Sequence, residues 1–421
     1  MRRRDLLLSA GAALVPLGGG AWAAAGAGGP RTAGPSGGSG AQLLVVVLLR
    51  GAVDGLNIVV PYGEEAYYAA RPTIAIAKPD AGEGASLALD AHFALHPALA
   101  ALMPLWQEKQ LAFIHAAGSP DPTRSHFDAQ LFVENGTPGR RVTADGWMNR
   151  LLAASPGAAD GAPGPTAAVA IGPTLPHILK GRLPVANLPL GPAAANKLAI
   201  DRPEVAQAFD RLYSANDPIG RAYRQGRAAR TELIASLNPE QQMADNGAPL
   251  PNAFPAQAAR LAGLIAGNRN IRLAFVSLGG WDTHVRQGSH KGQLADRLRP
   301  LGEGLAALAQ GLGGEWANTV VIVLSEFGRT VQENGDAGTD HGHGNAIWVL
   351  GGPVRGGRVY GQWPGLAPAA LYEGRDLAVT TDYRGALAAV LARHLRISDR
   401  GLTEIFPGFT PARSDIDGIV A

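Results

Sequence analysis

The sequence predicts a doubly wound α/β fold, in which a mostly parallel sheet carries helices on both faces. Continuous apolar, β-branched runs of the kind that form fully buried strands recur along the chain, beginning with LLVVVLL at residues 43–49. Helical patterns separate these runs. Because alternation of strands with helices is typical of doubly wound sheets, the pattern indicates this fold class.

The predicted elements can be placed in chain order. The strands are 43–49, 111–115, 167–171, 273–278, 319–324 and 346–350. The helices are 97–107, 127–134, 147–153, 255–266, 294–311 and 383–395. The stretch from about 180 to 255 is rich in Ala, Pro and polar residues, with helical pieces such as 204–213 and no convincing strand. We interpret residues 41–421 as a single domain that carries this stretch as a helical or irregular insertion.

The first 40 residues are predicted to direct export. Residues 1–25 resemble a twin-arginine signal peptide, with Arg3 and Arg4 before an apolar run at 6–17 that is too short to span a membrane. An ordinary export signal with a chance arginine pair is the alternative. Residues 26–40, nearly all Gly, Ala, Ser and Pro, indicate a flexible linker. The sequence therefore predicts a periplasmic or secreted protein that uses the twin-arginine translocase and has no membrane span.

Composition excludes several classes of protein. The net charge of +2 comes from the predicted signal, because 34 basic and 34 acidic side chains remain after residue 25. A neutral chain lacks the basic surface that nucleic-acid binding requires. With no cysteine, disulfides, thiolate catalysis and cysteine zinc sites are excluded. Any metal must be held by histidine, carboxylate or carbonyl oxygen.

Residues suited to metal binding or catalysis follow four predicted strands. Because ligands bind outside the carboxyl ends of strands in such sheets, this placement indicates a site. The residues are Asp54 after strand 43–49, Arg124 and Ser125 after 111–115, Asp282 and His284 after 273–278, and Glu326, Arg329, His341 and His343 after 319–324.

The candidate ligands mix carboxylates with imidazoles. Asp282 and His284, like His341 and His343, are two residues apart, so both members of a pair point the same way in an extended segment. The mixture suits Zn, Mn or Fe, as one or two divalent ions. The candidate metal ligands are Asp54, Asp282, His284, Glu326, His341 and His343. Glu326 has an alternative role as a helix-start residue, and the two histidines have one as structural residues.

Ser125 is the candidate nucleophile. A metal can lower the pKa of a serine hydroxyl, and Ser125 opens a predicted helix where backbone N–H groups favour an anion. Ser125 can equally be the N-cap of that helix, with Asp128 completing a cap. Arg124 and Arg329 are candidate clamps for a tetrahedral anion, as is Arg50, because a guanidinium binds bidentately.

The motifs LLRGAVDGLN, HAAGSPDPTRSHFDAQ, GGWDTH, LSEFGRTVQENG and GTDHGHG resemble the domain of unknown function 1501 family of twin-arginine-exported bacterial proteins, from about residue 42 to 409. This family is similar to the alkaline phosphatase and sulfatase superfamily. The resemblance implies a shared α/β core and a two-metal site that hydrolyses phosphate or sulfate esters.

The resemblance also implies residue roles. Asp54 matches the superfamily's first-strand metal aspartate, and Ser125 falls at its nucleophile. Asp282 and His284 resemble ligands of one metal, and His343 or His341 resembles the last histidine ligand. Glu326 stands where an Asp-His pair is expected, with Phe327 in the place of the histidine. Phe327 would deprive one ion of a ligand, so the alternatives are that this metal is absent, that it is bound differently, or that His341 takes the missing place.

The leading hypothesis is an exported metal-dependent hydrolase that acts on a small anionic phosphate or sulfate ester, with Zn or Mn as cofactor. The rival hypothesis is a non-catalytic periplasmic binding or assembly protein that keeps a degenerate metal site and works with a partner encoded nearby. A metal-assisted carboxylesterase is a third hypothesis.

Overall fold

The computed structural model describes residues 41–155, 164, 166–172, 174–188, 203–214, 244–412 and 415–421. The predicted signal peptide and linker, and most of the predicted insertion, lie outside the described residues. Within the described part, we find no helix that is both long enough and apolar enough to cross a membrane.

Twelve strands are described, nine in a central sheet and three in a small antiparallel one. In chain order they are β1 (Leu43–Leu49), β2 (Val59–Val60), β3 (Leu87–Ala88), β4 (Ala94–Leu95), β5 (Leu111–Gly118), β6 (Ala168–Ile171), β7 (Ala186–Leu188), β8 (Leu273–Leu278), β9 (Thr319–Ser325), β10 (Asn345–Gly351), β11 (Arg358–Tyr360) and β12 (Thr381–Asp382).

The central sheet has the order β11-β5-β10-β9-β1-β8-β6-β7, and β12 also pairs with β5. β1 lies at its centre, parallel to both neighbours, with Val46 opposite Phe275 and Ile322. β10 is antiparallel to β9 and β5, whereas the other described pairings of this sheet are parallel. The predicted mostly parallel sheet is therefore confirmed.

Helices cover both faces of the sheet. The α-helices of the described residues are α1 (Gly55–Ile58), α2 (Glu65–Ala70), α3 (Met103–Gln107), α4 (His126–Asn135), α5 (Trp147–Ala154), α6 (Pro203–Leu212), α7 (Phe254–Gly267), α8 (Gln293–Leu312), α9 (Tyr383–His394) and α10 (Asp399–Ile405). Alternate side chains of β1 enter opposite cores: Val45 and Val47 pack with α7 and α8, and Val46 and Leu48 pack with α5, α9 and α10. This two-sided burial explains why the run at β1 is continuously apolar.

Several details differ from the sequence prediction, which contains neither the small sheet β2–β4 nor the helices α2 and α10. The predicted helix 97–107 is a 3-10 helix, Pro97–Leu102, followed by α3. The stretch read as lacking strands contains β7, which pairs with β6 at one edge of the sheet. β7 has only three residues, which is too few for an alternation of apolar and polar side chains to be recognised in the sequence.

The direction of β10 decides where the next loop lies. Residues 326–344 leave the carboxyl end of β9 and enter β10 at its amino end, and these two ends meet at the same edge of the sheet. Glu326, Arg329, His341 and His343 are thus carried to the edge where Asp54, Ser125 and Asp282 also lie.

Candidate metal centre

Three imidazoles surround one carboxylate oxygen at this edge. The Nε2 atoms of His284, His341 and His126 lie 3.0, 3.3 and 3.6 Å from Asp282 Oδ1. His341 Nε2 is also 2.9 Å from His126 Nε2 and 3.0 Å from His284 Nε2. The histidine cluster, as we call these four residues, joins the start of α4, the loop after β8 and the loop before β10.

Glycine permits the loops to approach this closely. Gly51, two residues after the end of β1, has φ +112°, and a Cβ there would lie 2.7 Å from the backbone nitrogen of Asp282. Its N–H donates to Glu326 Oε1 at 2.8 Å, and its carbonyl accepts from Arg329 at 2.6 Å. A larger residue would push the loop after β8 away from the cluster.

The hydrogen bonds of the three Nδ1 atoms fix the orientation of the imidazoles. His126 Nδ1 is 2.8 Å from Glu326 Oε1, His284 Nδ1 is 3.2 Å from Asp340 Oδ1, and His341 Nδ1 is 2.9 Å from the carbonyl of Arg124. Because each partner is an acceptor, each Nδ1 carries a proton, and in the neutral ring Nε2 presents a lone pair. Three lone pairs and a carboxylate oxygen therefore face one another, an arrangement that attracts a cation.

The pKa shifts of the cluster residues show that the negative charge of Asp282 favours a positive charge beside it. Burial lowers the pKa of His126, but hydrogen bonds to Asp282 and Glu326 outweigh it and raise this pKa to about 9. The hydrogen bond to Asp282 raises the pKa of His284. Burial and the neighbouring charge of His126 hold the pKa of His341 below its usual value, despite its hydrogen bond to Asp282. Burial opposes ionisation of Asp282, yet its histidine partners hold its pKa far below the usual range.

Three members of the cluster fit a metal ion most closely. The ligand atoms of His126, Asp282 and His341 all lie within 4.8 Å of one another. Ligand atoms around a tetrahedral Zn²⁺ lie roughly 3.3 Å apart, given bonds of about 2.0–2.1 Å. These three ligands leave one tetrahedral position open, as in catalytic zinc sites, and His284 as a fourth ligand would close it.

Two predicted ligands have different roles in the structure. Glu326 is buried and accepts from His126, from the backbone of Gly51 and from Gln130 Nε2 at 3.0 Å. Burial raises the pKa of Glu326. Its hydrogen bonds, above all the one from His126, outweigh burial and lower this pKa to about 2. Glu326 thus orients a ligand. His343 Nε2 lies 3.0 Å from the carbonyl of Ser119, and its ring packs edge-on against Tyr372.

Asp54 is also engaged elsewhere. Its oxygens accept from Arg71 Nη1 at 2.6 Å and Nη2 at 3.0 Å, and from Gln287 Nε2 at 2.6 Å. Arg71 makes three further bonds, to Asn57 Oδ1 and to the carbonyls of Thr330 and Val331. Both members of the Asp54–Arg71 pair are fully buried. The guanidinium therefore supplies the positive charge that we expected from a metal at Asp54.

The predicted arginine clamps already have partners. Arg329 is 2% exposed and donates to Asp282 Oδ1 at 2.5 Å and to four backbone carbonyls. It therefore holds Asp282 and cannot reach a substrate. Arg124 binds Asp376 and Glu373 with its side chain and orients His341 with its carbonyl. Arg50 pairs with buried Glu134 at 2.6 Å.

Ser125 is the N-cap of α4 and is exposed. Its Oγ accepts from the backbone N–H of Asp128 at 3.5 Å, which matches the capping alternative. The cap does not exclude nucleophilic action, because the next residue, His126, belongs to the cluster.

His126 is not among the ligands predicted from the sequence. It follows β5 as the other site residues follow their strands, and that placement is the signal that could have revealed it. Phe327 packs on the cluster, with ring centroids 4.9 Å from His126 and 5.2 Å from His341. An apolar side chain thus occupies the position where the resemblance implies a histidine.

A family model described as protein of unknown function (DUF1501) matches residues 41–406. Among curated proteins, no match is found. Several solved structures are similar at low identity. The structure of Ps i-CgsB in complex with k-i-k-neocarrahexaose is 9% identical, with 85% of this chain and 72% of that chain covered and a TM-score of 0.40.

Two further structures cover most of the chain. The C-terminal periplasmic domain of EcEptC from Escherichia coli is 12% identical over 75% of this chain and 74% of that chain, with a TM-score of 0.34. Murine ectonucleotide pyrophosphatase/phosphodiesterase 5, in complex with AMP, is 10% identical over 90% of this chain and 100% of that chain, with a TM-score of 0.40.

Proposed function

The chain belongs to the DUF1501 family, and we propose that it is an exported, metal-dependent hydrolase of phosphate or sulfate esters. The observation that carries the proposal is the histidine cluster, in which three Nε2 atoms converge on Asp282 Oδ1. A divalent metal bound there, Zn or Mn, would neutralise charge on a phosphoryl or sulfuryl oxygen and acidify a nearby hydroxyl. Export by the twin-arginine route to the periplasm belongs to the same proposal.

The roles of the chain's own residues follow from their contacts. His126, Asp282 and His341 hold the ion, and Glu326, the Arg124 carbonyl and Arg329 orient these three ligands. Ser125 is the nucleophile. Its hydroxyl sits at the amino end of a ten-residue helix, where the unpaired backbone N–H groups stabilise developing negative charge.

Ser125→Ala tests the proposal against a matched control. Ser398 caps α10 through the backbone N–H of Gly401 at 3.2 Å, so Ser398→Ala removes an equivalent cap elsewhere. Each substitution should cost about 1 kcal/mol of stability. With Zn- or Mn-loaded protein and an aryl phosphate or aryl sulfate, only Ser125→Ala should abolish turnover. Turnover that survives Ser125→Ala, or its absence from the metal-loaded wild type, would overturn the proposal.

A specific observation favours a second candidate, a non-catalytic metal-binding protein. His284 Nε2 lies 3.0 Å from both Asp282 Oδ1 and His341 Nε2, so it can complete a closed four-ligand site. In the hydrolase, His284→Ala should retain the metal. In the binding protein, the same substitution should reduce metal affinity as strongly as loss of His126, and no ester should be hydrolysed. Turnover of carboxylic esters alone would instead favour a carboxylesterase.

A further inference from the structure

A cavity of about 600 Å³ is lined in part by Asp340, which is a hydrogen-bond partner of His284 in the histidine cluster. One wall is the face of α2 formed by Ala66, Ala69 and Ala70, whose spacing places them on the same side of the helix. Facing groups come from the segment 366–375 and from loop 330–334. The volume is that of a small-molecule site.

The side of the cavity opposite the polar residues Gln332, Glu333 and Asn334 suits an apolar occupant. The three alanines offer methyl groups only, and Leu366, Pro368 and Leu371 add further apolar surface. Because alanine leaves space that any longer side chain would fill, α2 is the element that keeps the cavity open.

Polar side chains of the cavity connect it to the cluster. Asp340 lines the cavity, and its Oδ1 lies 3.2 Å from His284 Nδ1, so one imidazole ring separates the cavity wall from Asp282. Arg375 lines it too, and its guanidinium lies 3.4 Å from Asp376. Asp376 binds Arg124, which precedes Ser125.

We propose that this cavity binds an apolar, ring-sized group, and that it thereby selects esters of aryl-type alcohols. The second clause rests on the proposed function: the alcohol part of the ester would occupy the cavity while its phosphate or sulfate lies at the cluster. The selection comes from burial of apolar surface rather than from hydrogen bonds. Esters of small alcohols such as methanol gain nothing from the cavity.

Ala69→Phe tests the cavity directly, because Ala69 is exposed on α2 and tolerates a larger side chain more readily than the partly buried Ala66 and Ala70. Ala153→Phe is the matched control. It places the same side chain in a second cavity of about 630 Å³, lined by Asn149, Arg150 and Arg182. Ala69→Leu provides a milder filling if the phenylalanine variant unfolds, which thermal unfolding will reveal.

Two readouts keep the outcomes distinct. In the Zn- or Mn-loaded enzyme, Ala69→Phe should lower kcat/KM for 1-naphthyl phosphate at least about 10-fold, as expected for a lost apolar pocket, with methyl phosphate and the Ala153→Phe control unchanged. Equal effects on the two substrates would overturn the selection. If the wild type hydrolyses neither ester, the proposed function fails. Binding of 1-naphthol, measured by its fluorescence, then tests whether the cavity holds an apolar group. Weaker binding to Ala69→Phe than to Ala153→Phe supports binding in the cavity, and equal binding to the two variants overturns it.

Discussion

Asp54 and Asp282 follow neighbouring strands of the sheet, but their surroundings provide positive charge differently. Around Asp54, the Arg71 guanidinium makes five hydrogen bonds, to both carboxylate oxygens and three other oxygen acceptors, with no exposure to solvent. Around Asp282, the buried Arg329 guanidinium binds Oδ1 from one side at 2.5 Å, and three imidazole Nε2 atoms face the same oxygen, each with its Nδ1 already bound to an acceptor.

The comparison shows that the same residue types at one edge can form two kinds of centre. The Asp54–Arg71 pair is complete within the folded chain. The histidine cluster gathers lone pairs that need a proton or a metal between them, and His284 and His341 remain partly exposed to an ion from solution. We therefore expect one ion per chain, where the superfamily resemblance implies two.

The largest effect should come from breaking the Asp54–Arg71 pair. Arg71→Gln leaves a buried carboxylate without its counter-charge, which should lower the free energy of unfolding by about 3–5 kcal/mol. The double variant Asp54→Asn, Arg71→Gln should recover much of this loss, because both charges are then gone. Urea denaturation measures it. A single-variant cost below about 1 kcal/mol would mean that the pair is not the buried centre described here.

Substitution of the two histidines in the loop before β10 should have different effects on metal affinity. His341→Ala removes a ligand that lies 2.9–3.3 Å from three cluster members, so it should abolish tight Zn²⁺ binding. His343→Ala, two residues away and bonded to the Ser119 carbonyl, should leave affinity unchanged. Competition with a chromogenic chelator measures both. Equal losses would show that the loop binds metal differently.

The orienting carboxylates should have smaller, graded effects. Glu326→Gln weakens the hold on His126 Nδ1 at a fully buried position and should reduce metal affinity about 10–100-fold. Asp340→Asn acts on His284 from a half-exposed position, with a side chain 51% exposed, and should fall at or below the lower end of this range. Isothermal titration calorimetry with Zn²⁺ gives both values. The reverse order would contradict the ligand set His126, Asp282 and His341.

The smallest effect concerns Asp245, a carboxylate near the loop after β8. Burial raises its pKa from 3.8 to about 6, despite the hydrogen bond from the Gly280 N–H. Between these values the folded state holds a proton that the unfolded state has lost. This contribution to stability is therefore full below pH 4 and disappears as pH rises through 6. Asp245→Asn should flatten that decline in the free energy of unfolding. Parallel pH profiles of the two metal-free proteins would contradict it.

Much of the fold could be predicted from the sequence. Burial on both faces makes β1, β8 and β9 continuously apolar, so their positions were found within a residue. Apolar runs carry no direction, however, so the antiparallel orientation of β10 could not be inferred. The three-residue strand β7 was missed because so short an element has no detectable period.

The sequence predicted where the site lies, but it did not predict which side chains bind one another there. Strand-end position brought Asp282, His284 and His341 to one edge. Whether a carboxylate binds a metal, an arginine or a histidine depends on residues distant in sequence. Asp54 meets Arg71 and Glu326 meets His126, and neither pairing has a local pattern.

The number of metal ions bound per chain distinguishes a single ion at the histidine cluster from a two-metal site. Protein loaded with excess Zn²⁺ or Mn²⁺ and desalted should contain one equivalent of metal per chain by inductively coupled plasma mass spectrometry, and Asp282→Asn should contain none. Two equivalents in the wild type, or one equivalent retained by Asp282→Asn, would contradict a single ion held by His126, Asp282 and His341.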